Sequence, residues 1–550
     1  MAGFFTAHHQ NAGQIGRPGG ASDHWQIVLG SFLSILSSRL TASAQHRTGE
    51  QLVARYKAYK HANERLDDLI LRIEGIWLRS TTQMSFVRKL PPSENLRLQT
   101  FQEECFRRLN VHLQTALVKL ADISGQDLAA GINVAQLTIE APFSKRLKYS
   151  LLEKHLKQLV SDLVSWHNTF DPSWYLLARI QHDDVDTLVA KADADHKEES
   201  VAVIKQIREL VQQPHTVRRD QKSLFVHSNY LTDERLAIEP TNLSLSILRQ
   251  SGQQVLLDTT TYPDGTYQRQ AKSFVRGLAR LLSSPEISNL SLLRCLGILE
   301  LDGHPPKTRQ YQYIFGLPPQ DSPPSSLRAI LVESSPSLDV KVDLAKSLAK
   351  ALTSLHAADF IHKNIRPETI IVLESAQKQK SVPFLVGFES LRPSEAHSSL
   401  ISDMAWERNV YRHPSRQGLR PQEYYTMQHD IYSLGVCLLE IGLWFSFVDY
   451  TQEHGVLPSP ALPIEALLDK NNKRQAANEI KDLLVEMARE KLPSMMGRTY
   501  TEVVVSSLLC LDKDTDNVFT NSEDLLDEDG IAIGVAFIQH ILMRLDSISL

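Results

Sequence analysis

Several signatures that would assign a function directly are missing from this sequence. Its 550 residues hold only four cysteines, Cys105, Cys295, Cys437 and Cys510, far apart and without a CxxC pair. That spacing excludes a disulfide framework and a thiolate metal site, and it leads us to expect reduced, structural thiols in an intracellular protein. An excess of one charge is also lacking: 59 Lys and Arg stand against 64 Asp and Glu, a formal net charge of −5. Such a balance supplies no field to hold a nucleic-acid backbone, so no nucleic-acid partner is expected. The opening MAGFFTAHHQ has neither the basic segment nor the sustained apolar stretch of a secretory signal. The apolar segment 25–40 is interrupted by serines and is shorter than the roughly 20 residues needed to cross a bilayer. A cytoplasmic protein without a conventional transmembrane anchor is expected. His8, His9, His24, His46 and His61 have no Cys or carboxylate at ligand spacing, and SEDLLDEDG lacks the spacing of an EF-hand loop. Neither a metal nor a cofactor is assigned.

What is present is a change of texture along a chain too long for one core and, at 42% hydrophobic, too apolar for disorder. Residues 1–22 are rich in Gly, His and Asn without hydrophobic period and read as a flexible leader. In 25–40, Trp25, Leu29, Phe32, Leu33 and Leu36 fall on one helical face opposite an uncharged face of Ser, Gly and Gln. Two readings stay open, a helix buried on one side of a bundle or a helix that enters a membrane surface. Residues 48–90 and 93–120 carry the stripes of two long amphipathic helices separated by Pro91 and Pro92, and 144–168 with 173–190 suggest a further pair. This pattern predicts an all-α helical bundle over 23–190, then a helix and polar linker over 191–222.

From 223 to 550 short strands replace the long helices: SLSILRQSGQQVLLDTTTY, LRCLGILELDGH and YQYIFGLPP, the first a hairpin turning near Ser251 and Gly252. Helices return from Leu344, and DIYSLGVCLLEIGLWF, 430–445, is apolar on nearly all sides, as a helix central to a large domain would be. The predicted fold class is multidomain, an all-α bundle followed by an α+β bilobal domain.

In order, AADFIHKNIRPETIIV, PFLVGFES, YRHPS and HDIYSLGVCLLEIG resemble the catalytic loop, metal-binding segment, activation-segment end and central helix of a protein kinase domain. The resemblance implies that His362, Phe388 and Asp430 are structural landmarks, Asp430 bracing the catalytic loop. It also exposes what phosphoryl transfer would need and this chain has exchanged. Asp258 stands where the phosphate-binding Lys would be, and the following helix, TYQRQAKSFVRGLARLL, has no acidic partner. Asn364 replaces the base, Thr369 a metal-binding Asn and Gly387 the magnesium-binding Asp, while Gly252 alone is too little glycine to close over a triphosphate. No catalytic residue is assigned, and the domain reads as a pseudokinase.

The GFE triplet, and the order of helical bundle then pseudokinase, are similar to the family of mixed-lineage kinase domain-like proteins. NERLDDLILRIEGIWLRS and LQTALVKLAD resemble the HeLo and HeLo-like domains of fungal heterokaryon-incompatibility and programmed cell-death proteins. That family opens on a Gly-containing apolar helix, whereas this chain opens on a polar leader: either 25–40 takes that place or the element is absent. The resemblance implies an inactive signalling protein whose kinase-like half controls a bundle acting on a membrane, with an unidentified protein partner and homo-oligomerisation on activation. The alternatives are an atypical kinase or ATP-binding protein using other residues, and a protein-binding scaffold.

Overall fold

Leu98, Phe101, Cys105, Leu109 and Leu113 recur at three- and four-residue spacing, and a computed structural model of the chain turns this stripe into the buried side of α1 (Leu96–Ser124). The structure describes positions between 69 and 87, then 96–124, 142–180, 185–190, residues 204, 205 and 208, and most of 224–548. Within the last range 264–267, 284–290, 303–307, 319–321, 359, 376–379, 389–391, 394–404, 419–420, 452–454, 513–516, 518 and 520–530 are outside the description. Trp25, Leu29, Phe32, Leu33 and Leu36 therefore lie outside the described residues.

The break expected between 168 and 173 lies further on: α2 (Pro142–Leu176) is one 35-residue helix that runs through Pro172 and ends in a 3-10 turn, Leu177–Arg179, and the chain is helical again at 185–190. A proline normally breaks a helix by removing a donor and crowding the preceding turn. Here Phe170, Trp174, Tyr175 and Leu176 around it are all buried, and their packing outweighs the lost bond. Trp166 adds an anchor, its Nε1 donating to the Cys105 carbonyl at 2.7 Å.

By Cα packing the chain divides into two compact units, 1–89 with 107–164 and 90–106 with 165–550. The second unit holds a five-stranded antiparallel sheet in the order β1-β2-β3-β5-β4: β1 (Leu236–Ile238), β2 (Leu243–Ile247), β3 (Gln254–Pro263), β4 (Arg294–Asp302) and β5 (Thr308–Gly316). Gly252, at φ 69°, closes the β2–β3 hairpin, where Leu248 N–H donates to Gln253 O at 2.9 Å. Val255 and Leu257 of β3 alternate onto a core shared with Leu231, Leu248, Leu299 and Ile314. The helix α3 (Gln268–Ser283) follows β3 and is tied to β4 by Lys272 and Glu300, 2.6 Å apart.

Next come α4 (Leu338–Ala357), a loop, the hairpin of β6 (Ile370–Ser375) and β7 (Lys380–Leu385), and the buried helix α5 (Met427–Leu443). The expected start of this last helix at Asp430 moves to Met427, because Thr426 and His429 cap it reciprocally, His429 Nδ1 accepting the Thr426 N–H at 3.0 Å. Gly435 and Gly442, seven residues apart on one face of α5, let α6 (Lys473–Leu508) approach closely. A Cβ at those positions would lie 2.7 Å from Ser507 Cβ and 2.6 Å from Leu492 Cδ2. Past it, α7 (Ile531–Phe537) continues as a π-helical turn, Ile538–Leu542. The chain is thus a multidomain protein of mixed helix and antiparallel sheet; its four cysteines are buried and form no disulfide, and among the described residues no helix is long and apolar enough to cross a membrane.

Candidate functional site

The loop from α4 to β6 is organised by one carboxylate. Asp430, in the first turn of α5 and fully buried, accepts the His362 N–H at 2.7 Å on Oδ2 and the Lys363 N–H at 2.8 Å on Oδ1. His356, near the end of α4, donates from Nε2 to Oδ2 at 3.1 Å. These bonds hold Lys363 at φ 64°, a left-handed backbone that residues other than glycine seldom adopt. His362 in turn donates from Nε2 to the Val386 carbonyl at 2.9 Å, and its ring lies 5.2 Å from that of Phe388. Phe388 is flanked on its other sides by Tyr313 and Phe315 of β5, so the loop and the sheet share one aromatic cluster.

Asp258, on β3 and paired in register with Tyr313, reaches from the sheet to the segment after β7. Its Oδ2 accepts two backbone donors, Gly387 N–H at 2.8 Å and Phe388 N–H at 3.1 Å. Asn364 donates from Nδ2 to the Gly387 carbonyl at 3.3 Å and accepts from Arg366 Nε at 3.1 Å. The Thr369 hydroxyl donates to the Asn364 carbonyl at 2.7 Å and accepts the Arg366 N–H at 3.1 Å. Asp258, Asn364, Thr369 and Gly387 therefore come together with His362, Phe388 and Asp430 in one hydrogen-bonded floor between β3 and the helices. Glu389 of the GFE triplet is outside the described residues.

Gly387 and Thr369 fit each other sterically. Gly387 has φ 80°, and a Cβ there would be 2.3 Å from Thr369 Cγ2 and 2.7 Å from Thr369 Cβ. Any side chain at 387 thus meets both an unfavourable backbone and a filled space. We expect Gly387→Ala to lower unfolding free energy by about 2–4 kcal/mol, and Thr369→Ser, which removes Cγ2 but keeps the hydroxyl, to recover part of that loss. A double-mutant cycle by urea unfolding reads the coupling; strictly additive effects would show that the two positions do not meet.

Chemically, the floor presents an anionic group to internal donors, which disfavours an anionic ligand at the same point. Among the described residues no group of three His, Cys, Asp or Glu side chains is placed to hold a metal ion. His362 is a structural imidazole: burial pushes its pKa down to about 4 against the attraction of Asp430. The unfolded state binds this proton more tightly, so the contribution of His362 to stability is complete above about pH 6.5 and is lost as pH falls towards 4. His429, also held neutral chiefly by burial, acts in the same direction. We expect the stability advantage of the wild type over His362→Gln to shrink by about 2–3 kcal/mol between pH 7 and pH 4.5. Denaturant titrations at the two pH values measure it, and a pH-independent difference would mean that His362 is not held neutral.

Two further sets of residues escaped the reading of the sequence. Arg328 is buried between Glu368, with Nε at 3.1 Å, and Glu440, with Nη1 at 2.8 Å, and Tyr411 donates to Glu440 at 2.9 Å. Burial pushes the Glu440 carboxyl up despite Arg328; at Glu368 burial acts in the same direction but Arg328 and Arg366 outweigh it, and the net shift is downward. A charge inside the apolar run CLLEIG was the available signal, since a buried Glu demands a partner. Arg179, the second case, whose Nη1 donates to the His356 carbonyl at 2.7 Å, gave no such signal. Compared with known proteins, no family model matches this chain and no curated protein matches it.

Proposed function

We propose that the chain is a signalling protein with an inactive protein-kinase fold, in which the kinase-like domain over 223–550 regulates a helical bundle over 23–190. The observation that carries this reading is the Asp258 carboxyl bound to the Gly387 and Phe388 amides, which occupies the place a phosphate-binding lysine and a metal-binding aspartate would need to share. The motif order in the sequence, the antiparallel sheet followed by a helix, and a loop braced by a buried aspartate support the kinase-like assignment. The bundle is the effector: it acts at a membrane surface through Trp25, Leu29, Phe32, Leu33 and Leu36, in the manner of fungal incompatibility and cell-death proteins. A protein partner triggers it, and homo-oligomerisation accompanies activation of the cytoplasmic form.

Two measurements on the full chain test this. With magnesium and ATP we expect neither phosphotransfer nor a thermal shift; phosphotransfer abolished by a substitution at Asn364 would restore the atypical-kinase reading. With anionic liposomes, dye release by the full chain should be lost in Leu33→Lys. A folded chain that neither binds nor permeabilises vesicles in the presence of its partner would leave only the scaffold reading.

A further inference from the structure

Among the described residues a buried cation, Lys341, meets no anion. It stands near the start of α4 and is only 6% exposed. Its Nζ donates to the Gly442 carbonyl at 3.2 Å and lies 5.6 Å from the centre of the Trp444 ring. That carbonyl is one of the last of α5, where a cation is well placed. An ammonium carries three hydrogens, however, and here a neutral oxygen accepts one of them. No carboxylate among the described residues pairs with Lys341, and burial alone pulls its pKa down. Taking an ammonium out of water is costly, and buried lysines are ordinarily paired.

Trp444 is the second group short of a partner. It follows α5 directly at φ 56°, its backbone N–H donating to Glu440 O at 2.7 Å. The ring is half-buried, yet its Nε1 is covered from solvent and has no acceptor among the described residues. A buried indole N–H usually finds one. Next in the chain, the Phe445 ring lies 5.5 Å from that of Phe447, and Lys491 of α6 lies 5.9 Å from the Phe445 centre. The surroundings of the two donors are thus aromatic and cationic.

A group that completes this arrangement accepts hydrogen bonds in more than one direction and carries a single negative charge. A carboxylate does both, with two oxygens to share between the ammonium and the indole. A phosphate dianion suits the place less well, because the carbonyl end of α5 already turns partial negative charge towards it. We propose that Lys341 and Trp444 form a binding site for a carboxylate, the ammonium supplying the charge and the indole N–H the second hydrogen bond. The ligand is a small aliphatic acid or an acidic side chain presented by a partner. When it is bound, both donors are satisfied and the start of α4 is tied to the end of α5. The site lies apart from the floor around Asp258 and stands or falls independently of the inactive-kinase reading.

Nuclear magnetic resonance of the full chain, with its six tryptophans labelled with nitrogen-15, tests it. The Trp444 indole signal is the one missing from Trp444→Phe. Sodium propionate added at constant ionic strength should shift this signal to saturation, with a dissociation constant on the order of 1 mM for one charge-assisted and one neutral hydrogen bond. Propionamide, which has the same shape without the charge, should leave it in place. Lys341→Met, which keeps the apolar stem, should weaken propionate by about tenfold or more. In a second arm, aspartate blocked at both its backbone ends replaces propionate. Tighter binding of the blocked aspartate assigns the site to a partner's side chain, and tighter binding of propionate assigns it to a small acid. An indole signal that moves with neither acid, or that moves as readily in Lys341→Met as in the wild type, overturns the inference. Should Lys341→Met not fold, the comparison of propionate with propionamide on the wild type decides the matter, equal shifts counting against the site.

Discussion

Asp430→Ala should lower the unfolding free energy by about 3–5 kcal/mol, the largest loss expected from any single truncation in the loop region. One carboxylate satisfies two buried backbone donors and one buried imidazole, at 2.7, 2.8 and 3.1 Å. Alanine leaves all three without that acceptor in a place that is fully buried around α5. Asp430→Asn, which retains one acceptor oxygen and brings a donor towards donors, should fall between alanine and wild type. Urea unfolding followed by far-ultraviolet circular dichroism measures the series. A loss below about 1 kcal/mol for alanine would show that the loop does not depend on this aspartate.

Placing a lysine at position 258 should be damaging and should not create a nucleotide site. The Asp258 oxygen accepts the Gly387 and Phe388 amides, and Asp258→Lys would set a desolvated ammonium against those two donors, at a cost of about 3–5 kcal/mol. Asp258→Asn, whose amide oxygen still accepts, should cost about 1 kcal/mol. No thermal shift with magnesium and ATP is expected for Asp258→Lys, because Gly387 has no carboxylate and Thr369 fills the space in which one would start. A lysine variant as stable as the wild type, or one stabilised by several degrees in magnesium and ATP, would refute this account of the hydrogen-bonded floor.

Much of the local structure was legible in the residues. The α1 stripe, the β2–β3 turn at Gly252 and the apolar α5 follow from periods of 3.6 and 2, which depend on neighbours a few positions away. The end of α2 was not legible, because Pro172 is a local signal for a break and the burial that overrides it comes from distant parts of the chain. The start of α5 shifted by three residues for a related reason: the Thr426 and His429 cap is visible only as geometry. Positions 258, 364, 369 and 387 could each be singled out by residue type, and each could be read only as something replaced.

By itself the sequence determined which groups stand at the candidate site: an anion at 258, an amide at 364, a methyl-bearing hydroxyl at 369 and a hydrogen at 387. The tertiary structure alone decided what they do to one another. Asp258 meets an amide 129 residues away, Arg179 a carbonyl 177 residues away, and Thr369 fills the volume that Gly387 leaves empty. Hydrogen bonds lose their strength within fractions of an ångström and a few tens of degrees, and steric contacts within less. Composition and period fix the kind of group at each position but carry no information at that scale, which is set only when sheet, loop and helices have packed together.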